Sequence, residues 1–398
     1  MTAAQPTTFT TVREGFFDPP AEIRKLREET PISRMAFADG HLGWLVTGYS
    51  TARAVLSDNR FSARGELKHP PVPRSAVLEE SPAAPPGMFI QHDAPEHQRY
   101  RKLLVGEFTV RRMRLLTEWI ERIVEERLDA MERVGSPADL FEHFALAIPT
   151  LVITELLGVP YADRAKFHRD AEVWSSFGAS VEDVTAAFAS LGSYLHGLVL
   201  AKRAEPGDDI LSGLITGGGN LTDEELTSIA FLLLVAGHET TANQIGLSTF
   251  ALLNHPRQLA ALRADPSLMD GAVEELLRYL SIVHHGPTRA ALEDVEIEGR
   301  LIKAGEVVMI SLAAANRDPE RFTEPEDLDV TRVMANHLAF GHGVHQCLGQ
   351  QLARIELRCA LSALLRRFPG LRLAVPPEEV GLRHDMQVYG VYRLPVAW

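Results

Sequence analysis

The stretch Phe-Gly-His-Gly-Val-His-Gln-Cys-Leu-Gly at residues 340–349 carries the strongest signal in the chain, and a helical pattern follows it from Gln350 to Phe368. Its three glycines permit positive φ angles and a close approach of the backbone to a flat ligand. Cys347 stands just before the predicted helix, where unpaired N–H groups and the helix dipole favour negative charge and lower the pKa of a thiol. A thiolate held in this way can bind iron.

The composition describes an ordinary globular protein. Of its 398 residues, 45% are hydrophobic and 23% are charged, which is enough to bury a large core. A formal charge of −13 argues against nucleic acid as a partner, because phosphate binding needs a basic surface. The N-terminal segment lacks the pattern of a signal peptide, and the apolar run 229–237 is too short to cross a bilayer. Two cysteines cannot form a disulfide framework, so we expect a cytoplasmic protein without membrane or nucleic-acid partners.

Helical periodicity dominates the chain, with short strand patterns near both ends. A hairpin is expected at Ile32–Phe37 and Gly43–Thr47 around Asp39-Gly40, and a second β region at 292–311. An edge strand is expected within Val391–Val396. The predicted helical stretches are 95–134, 139–157, 181–204, 221–254, 257–264, 270–280 and 349–367.

The segment His69–Gly87 is crowded with prolines and should be irregular. Two interpretations stay open for it. Long ordered loops in compact domains often act as lids or binding walls, and others are plain surface excursions.

A single cysteine before a helix is more often a small buried residue than a ligand, and Cys359 is expected to be a core residue of its helix. The complete string is more specific. Phe-Gly-x-Gly-x-His-x-Cys-x-Gly, with all six specified positions filled, resembles the signature of the cytochrome P450 family. The resemblance implies a mainly α fold with small β-sheet regions, a long central helix over a haem, and a loop that carries the cysteine ligand. It also implies one domain spanning residues 1–398.

A second motif, Ala-Gly-His-Glu-Thr-Thr at 236–241, falls in the middle of the predicted helix 221–254. That helix should open with a capping box from Thr222 to Glu225. Gly237 and the neighbouring hydroxyl residues favour a local distortion of the helix. By the resemblance, Ala236 and Gly237 lie beside the haem, and the acid–alcohol pair Glu239 and Thr240 relays protons to dioxygen.

The resemblance also implies haem b as the cofactor, with dioxygen as co-substrate. His97 and Arg101 are one helical turn apart and would donate to the propionates, which prefer charge-assisted donors. Without the resemblance, a solvated helix face would be the better interpretation of this pair. The other implied residues are Cys347 on the iron and Arg289, His345, Phe340, Gly341 and Gly349 around the cofactor.

Glu275 and Arg278 share one face of the predicted helix 270–280. Such pairs are common on solvated helices and add little stability there. By the resemblance, Arg332 joins them, and the three residues hold the cysteine loop in place without a part in the chemistry.

The implied activity is that of a soluble, actinobacterial-type monooxygenase of secondary metabolism or xenobiotic oxidation. Such an enzyme inserts one oxygen atom of O2 into a largely apolar small molecule, such as a polyketide, terpenoid or steroid-like compound. Desaturation, aryl coupling and peroxide-driven oxidation are alternatives on the same fold, and a non-catalytic haem sensor or carrier is an alternative of another class. The pair Glu239–Thr240 favours dioxygen activation.

The chain has no dinucleotide fingerprint, so electrons should come from a separate protein, by resemblance a ferredoxin served by its reductase. A basic cluster is a candidate docking face, although a solvated basic surface explains it equally well. Its members are Arg101, Lys102, Arg111, Arg112, Arg114 and Arg354. We expect a monomer.

Substrate-contacting walls are expected by position alone. They are the proline-rich segment up to Phe89, 174–184, 234–236, 282–288 and 386–388. His284 and His285 either contact a polar substituent of the substrate or face solvent.

Overall fold

The computed structural model describes residues 6–75, 82–107, 110–160, 163–333 and 336–398, and within its helices it leaves the side chains of 110–115, 164–168 and 171 undescribed. The expected mainly α fold with small sheets is confirmed. The helices are α1 (Ala21–Glu29), α2 (Tyr49–Ser57), α3 (Glu96–Val105), α4 (Val110–Val134), α5 (Ala147–Leu156), α6 (Arg164–Ser175), α7 (Val181–Ala204), α8 (Ile210–Thr216), α9 (Asp223–Asn254), α10 (Pro256–Ala264), α11 (Met269–Leu280), α12 (Leu312–Ala315) and α13 (Gln350–Arg367).

The long helices follow their predicted ranges closely, and the differences have local causes. The stretch predicted as 95–134 is two helices, since α3 ends at Val105 before Gly106 and α4 begins at Val110. The stretch predicted as 139–157 starts with a π-helical turn at Phe141–Ala145 before α5. Five helices of 12 residues or fewer, α1, α2, α6, α8 and α12, were not predicted, because a short helix repeats its apolar pattern too few times to be recognised.

The strands are β1 (Thr7–Thr8), β2 (Ile32–Ala36), β3 (Leu42–Val46), β4 (Phe61–Ser62), β5 (Ala138–Asp139), β6 (Thr288–Ala291), β7 (Val295–Ile297), β8 (Arg300–Ile302), β9 (Val307–Ile310), β10 (Arg372–Leu373) and β11 (Pro395–Ala397). The largest sheet has the order β1-β2-β3-β9-β6-β4, the second β10-β11-β5, and β7 pairs with β8.

The predicted hairpin is confirmed as β2 and β3, which pair antiparallel with Ile32 opposite Val46 and Arg34 opposite Trp44. Gly40 in its turn has φ 85°, a conformation that glycine adopts without strain. The C-terminal strand was predicted wrongly. It covers Pro395–Ala397 and lies between β10 and β5, so it is the central strand of its sheet and not an edge.

Helix α9 runs through the main hydrophobic core and packs against α5, α7 and α13. Its capping box is present as predicted, with Thr222 accepting from the Glu225 backbone and Glu225 accepting in return. Most of its side chains are buried all round, which is typical of a helix that crosses a core. Among the described residues one helix, α7, has the length and composition of a possible membrane span, a weak signal that core helices also give, and α7 packs on α6 and α9.

Candidate functional site

The loop 340–349 is shaped by backbone bonds and by two glycines with positive φ. The Cys347 N–H donates to the Phe340 carbonyl at 2.9 Å, and the Gly341 N–H donates to Leu338 at 2.8 Å. Gly341 and Gly343 have φ of 69° and 75°. A Cβ on Gly343 would lie 2.2 Å from the carbonyl oxygen of Leu56, so this position tolerates no side chain. The loop therefore fixes the place of Cys347 and leaves its side chain accessible.

The expected lowering of the thiol pKa at Cys347 is wrong for the protein alone. Burial within the surrounding protein raises this pKa, and the Gly349 N–H, Arg101 and Arg354 offset only part of the effect. Helix α13 begins at Gln350, three residues further on, so the thiol receives little from the helix end. Coordination to a metal would itself deprotonate the thiol.

Helix α9 presents a small accessible face in the middle of the molecule. Ala236 is exposed although Leu234 and Val235 beside it are buried, and Thr240 lies one turn further along. The Thr240 hydroxyl donates to the Ala236 carbonyl at 2.7 Å, which is the back-bonding that threonine makes inside helices. The expected distortion at Gly237 is not seen, since the helix runs unbroken through it and a Cβ there would meet Ile153 of α5 at 3.1 Å.

Glu239 is buried and forms an ion pair that the sequence did not indicate. Its Oε1 accepts from Nη2 of Arg383 at 2.8 Å, and both side chains are at most 4% exposed. Its Oε2 and the Nε of Arg383 have no hydrogen-bond partner. Glu239 and Thr240, predicted as a pair, therefore bind different partners: the acid is held from the C-terminal region and the alcohol by its own helix.

The residues predicted to hold carboxylates converge beside the cysteine loop. The rings of His97 and His345 lie 4.0 Å apart, and Nε2 of the buried His97 has no partner. Arg101 donates to the Gln346 carbonyl at 2.6 Å. Burial first, and then the neighbouring cations, lower the pKa of His345 to about 3.

Arg289 and Lys68 complete this cluster of cations. Arg289 is buried on β6 and donates to the Thr288 carbonyl at 2.9 Å. Burial lowers the pKa of Arg289 to about 10 despite Asp93, and burial and Arg289 lower that of Lys68 to about 8. Sequence reasoning missed Lys68, because nothing in its local pattern distinguishes it from a surface lysine.

These features fit a flat, apolar group that carries two carboxylates. The cation cluster, defined here as the cations Lys68, Arg101 and Arg289 with the neighbouring rings of His97 and His345, concentrates positive charge that suits an anionic ligand. The unpartnered Nε2 of His97 is a buried group that a propionate would satisfy. Cys347, whose accessible side chain lies near Arg101, is the candidate metal ligand next to this cluster.

Helix α11 anchors the cysteine loop through two adjacent carboxylates. Glu275 and Arg278 are fully buried and paired at 2.7 Å, and Arg332 joins Glu275 at 3.1 Å, as the resemblance implied. Arg278 also donates to three carbonyls between Asn316 and Asp327. These bonds tie α11 to the segment that leads into the loop.

Glu274 makes the second connection. It binds His337, just before the loop, at 3.2 Å and Arg354 of α13 at 2.5 Å. Burial alone would raise the pKa of Glu274, but the hydrogen bonds from His337 and Arg354 outweigh it and bring the pKa to about 2.

Two members of the predicted docking face are engaged elsewhere in the structure. Arg354 is paired with Glu274, and Arg101 faces the cysteine loop. Lys102 is exposed, and the side chains of Arg111, Arg112 and Arg114 lie outside the described residues.

Several predicted substrate walls are joined by backbone hydrogen bonds. Ser75 N–H donates to Phe177 at 2.9 Å, Phe177 N–H to Asp385 at 3.0 Å, and Gln387 N–H to Ser175 at 2.9 Å. Tyr389 N–H donates to Ile282 at 2.7 Å. We call these joined segments, 74–75, 174–177, 282–285 and 385–389, the pocket wall, after the substrate walls predicted there from the sequence. Residues 76–81 of the proline-rich segment lie outside the described residues.

The two histidines of the wall differ in their surroundings. His284 is buried, with Nε2 3.1 Å from the Arg383 carbonyl, so it does not face solvent. His285 is partly accessible and lies 6.1 Å from the ring of Phe177. Burial lowers the pKa of His284 to about 3 and that of His285 to about 4, so both are neutral near pH 7.

Known proteins resemble this chain in sequence and in fold over nearly its whole length. The family model described as Cytochrome P450 matches residues 202–381. A curated relative named cytochrome P450 105C1, from Streptomyces sp, is 65% identical over 100% of both chains. Pentalenic acid synthase of Streptomyces avermitilis is 45% identical over 99% of this chain and 98% of that protein. The crystal structure of CYP105P1 in complex with filipin I is 47% identical with a TM-score of 0.93, and the match covers 99% of each chain.

Proposed function

The chain belongs to the cytochrome P450 family and is a haem-dependent monooxygenase that uses O2, and from this premise we propose that Cys347 is the thiolate ligand of the iron in haem b. The observation that carries the proposal is the accessible Cys347 side chain in a loop fixed by Gly341 and Gly343, beside the cation cluster. Haem, when bound, supplies the redox chemistry that activates O2, so that one oxygen atom enters the substrate and the other leaves as water.

The cation cluster would hold the two propionates. Arg101, Arg289 and Lys68 supply charge, and His97 offers the Nε2 that has no partner among the residues that the structure describes. Phe340, Gly341 and Gly349 of the loop would pack near the cofactor. Guanidinium groups suit carboxylates because their planar donors match the two oxygens.

Glu239 and Thr240 are proposed to position the proton donor on the inner face of α9. Thr240 exposes its hydroxyl beside Ala236, where it can hold a water molecule, with Gly237 keeping the helix close to α5. Glu239 is fixed by Arg383, and its free Oε2 can accept a hydrogen bond from water that enters this region. In this proposal the carboxylate and the hydroxyl act through ordered water.

The substrate is proposed to be a largely apolar natural product. The named product and ligand of two relatives support this, and so do the aromatic contacts at the pocket wall, where Trp174 and Phe188 pack on Phe231. We also propose that residues 1–398 form one domain and that the protein works in the cytoplasm as a monomer, without membrane or nucleic-acid partners.

The protein acts with a redox partner, as the family does, and we propose that the partner is a ferredoxin. Turnover supported by a ferredoxin and its reductase should then fall as ionic strength rises, because exposed cations such as Lys102 are screened by salt. Steady-state rates measured from 20 mM to 500 mM salt would test this. A rate that is independent of salt contradicts electrostatic docking.

The decisive experiment compares the reduced, carbon monoxide-bound spectrum of three proteins. We expect a strongly red-shifted Soret band in the wild type, its loss in Cys347→His, and its retention in Cys359→Ala. The control is matched, because Cys359 is the other cysteine and is buried in α13. An imidazole-like band in all three proteins, or a wild type that binds no haem, would overturn the assignment of Cys347.

A further inference from the structure

Arg74 carries a guanidinium group in the pocket wall. It is half-buried, and no acidic side chain lies within ion-pair distance of it among the described residues. Its Nε is buried and has no hydrogen-bond partner in that described part of the chain. Burial lowers the pKa of Arg74, and no neighbouring acid offsets this effect. The group therefore brings a positive charge to the wall and leaves it unneutralised.

The neighbours of Arg74 are neutral or aromatic. Nη2 donates to the Trp174 carbonyl at 3.2 Å. With the Gln387 amide turned so that its oxygen faces Arg74, that oxygen accepts from both terminal nitrogens at 2.9 and 2.8 Å. The guanidinium carbon lies 5.9 Å from the centre of the Phe177 ring. These contacts orient the guanidinium and leave its charge available.

The wall also carries apolar side chains, and its acid, Asp385, accepts a hydrogen bond from the Tyr392 hydroxyl. Met386 and Val388 are buried hydrophobic residues on the same segment as Gln387, and Trp174 and Ile282 pack against the main hydrophobic core. His285 contacts Phe177 and is neutral near pH 7, so it does not compete with Arg74 for an anion. One fixed cation in an apolar wall matches a ligand that has an apolar body and one anionic end.

We propose that the substrate of this monooxygenase carries a carboxylate, and that Arg74 binds that carboxylate while Trp174 and Phe177 contact the apolar body. The proposal rests on the proposed function and adds the substrate class. A carboxylate would supply the negative charge that Arg74 lacks, and a desolvated, oriented guanidinium binds it far better than it binds a neutral ester. Arg74 is then a specificity residue of the pocket.

The test uses the haem-loaded protein and matched probes: dodecanoic acid, a resin acid and a bile acid, each beside its methyl ester. Dissociation constants are measured by equilibrium dialysis at pH 7.5 and by the shift of the Soret band. We expect at least one acid to bind at least about tenfold more tightly than its ester. Wild-type protein in which no acid binds, or no acid binds more tightly than its ester, overturns the proposal.

Variants separate recognition of charge from a purely structural role. Arg74→Gln keeps hydrogen-bonding capacity toward Trp174 and Gln387 but removes the charge, so acid binding should weaken about tenfold while ester binding stays within about twofold. Arg74→Lys should keep part of the preference. Arg24→Gln, on the exposed face of α1, makes the same change in net charge and should bind like the wild type. Equal weakening of acid and ester in Arg74→Gln would make Arg74 a structural clasp and overturn the proposal.

The two proposals fail in different ways. Loss of the red-shifted carbon monoxide band in the wild type would count against the function assigned to Cys347. A normal band together with no preference for acids would leave that function standing and remove only the carboxylate.

Discussion

At the scale of single residues, the chemistry of α9 depends on partners outside the helix. Glu239 is an acid in the protein interior, and Arg383 holds it from 144 positions further along the chain. Removing one partner of such a buried pair leaves the other charge without compensation, at a typical cost of about 3–5 kcal/mol. The pair therefore fixes the position of the carboxylate firmly.

Thr240, in contrast to the buried Glu239, has its hydroxyl on the accessible face of the same helix. In Thr240→Ala, consumption of reducing equivalents should continue while product per electron pair falls about tenfold and hydrogen peroxide rises, because proton delivery loses its hydroxyl. Product and peroxide are quantified per NADPH with a substrate that the holoenzyme oxidises.

The matched control for this substitution is Thr249→Ala. Thr249 makes the same bond to the carbonyl four residues earlier, at 2.9 Å, but is buried away from the accessible face. Its coupling should equal that of the wild type. Unchanged coupling in Thr240→Ala would remove Thr240 from proton delivery.

At the scale of secondary-structure elements, α11 is the anchor of the site. Its adjacent residues Glu274 and Glu275 reach different elements: one binds α13 and His337, and the other binds Arg278 and Arg332. In the sequence, the cysteine loop lies between His337 and α13, which Glu274 binds on either side of it. Its position is therefore set by side chains that take no part in the reaction.

Because Glu274 holds these contacts as a carboxylate, the free energy of unfolding should decrease as the pH falls. The pKa of Glu274 is about 2 in the folded protein against an ordinary 4.5, so its contribution is complete above about pH 4.5 and is lost as the pH falls toward 2. A shift of this size corresponds to about 3 kcal/mol. Glu274→Gln should be less stable than the wild type at neutral pH by up to this amount, and the difference should shrink as the pH falls.

Urea unfolding at intervals from pH 7 to pH 3, followed by the tryptophan signal, measures this difference. Glu378→Gln, an exposed glutamate of the C-terminal region, is the control and should unfold like the wild type at each pH. Wild-type and Glu274→Gln curves that run parallel across the acid range would contradict the role given to Glu274.

At the scale of the whole molecule, the cation cluster is assembled from four separate parts of the chain. Lys68 follows β4, His97 and Arg101 lie on α3, Arg289 lies on β6, and His345 belongs to the cysteine loop. Mutual repulsion of Lys68 and Arg289 opposes folding of the protein alone. A bound dianion would reverse this, so we expect haem binding and folding to be thermodynamically linked.

Lys68→Met should therefore release haem faster than the wild type. Loss of one charge-assisted contact to a propionate predicts a rate increase of about tenfold. Transfer of haem to excess apomyoglobin measures the rate. Lys25→Met, an exposed lysine of α1, is the control, and a Lys68→Met rate equal to that of the control would exclude contact of Lys68 with the cofactor.

Sequence reasoning identified the central helix with its capping box from an apolar period, and the hairpin β2–β3 from a turn dipeptide between two strands. Local physics is sufficient for these elements, because each depends on neighbours within a few residues. The family and the candidate ligand Cys347 came from the resemblance of six specified residues at 340–349 to a known signature.

The three-dimensional fold set which distant groups meet. It paired Glu239 with Arg383, moved Arg354 from a docking face to Glu274, brought Lys68 to the cation cluster, and left Arg74 without an acid among the described residues. It also raised the pKa of the Cys347 thiol, since burial outweighs the nearby N–H group and cations. Charges and hydrogen bonds act over a few ångströms in space, and a linear pattern does not record which residues the folded chain brings within that distance.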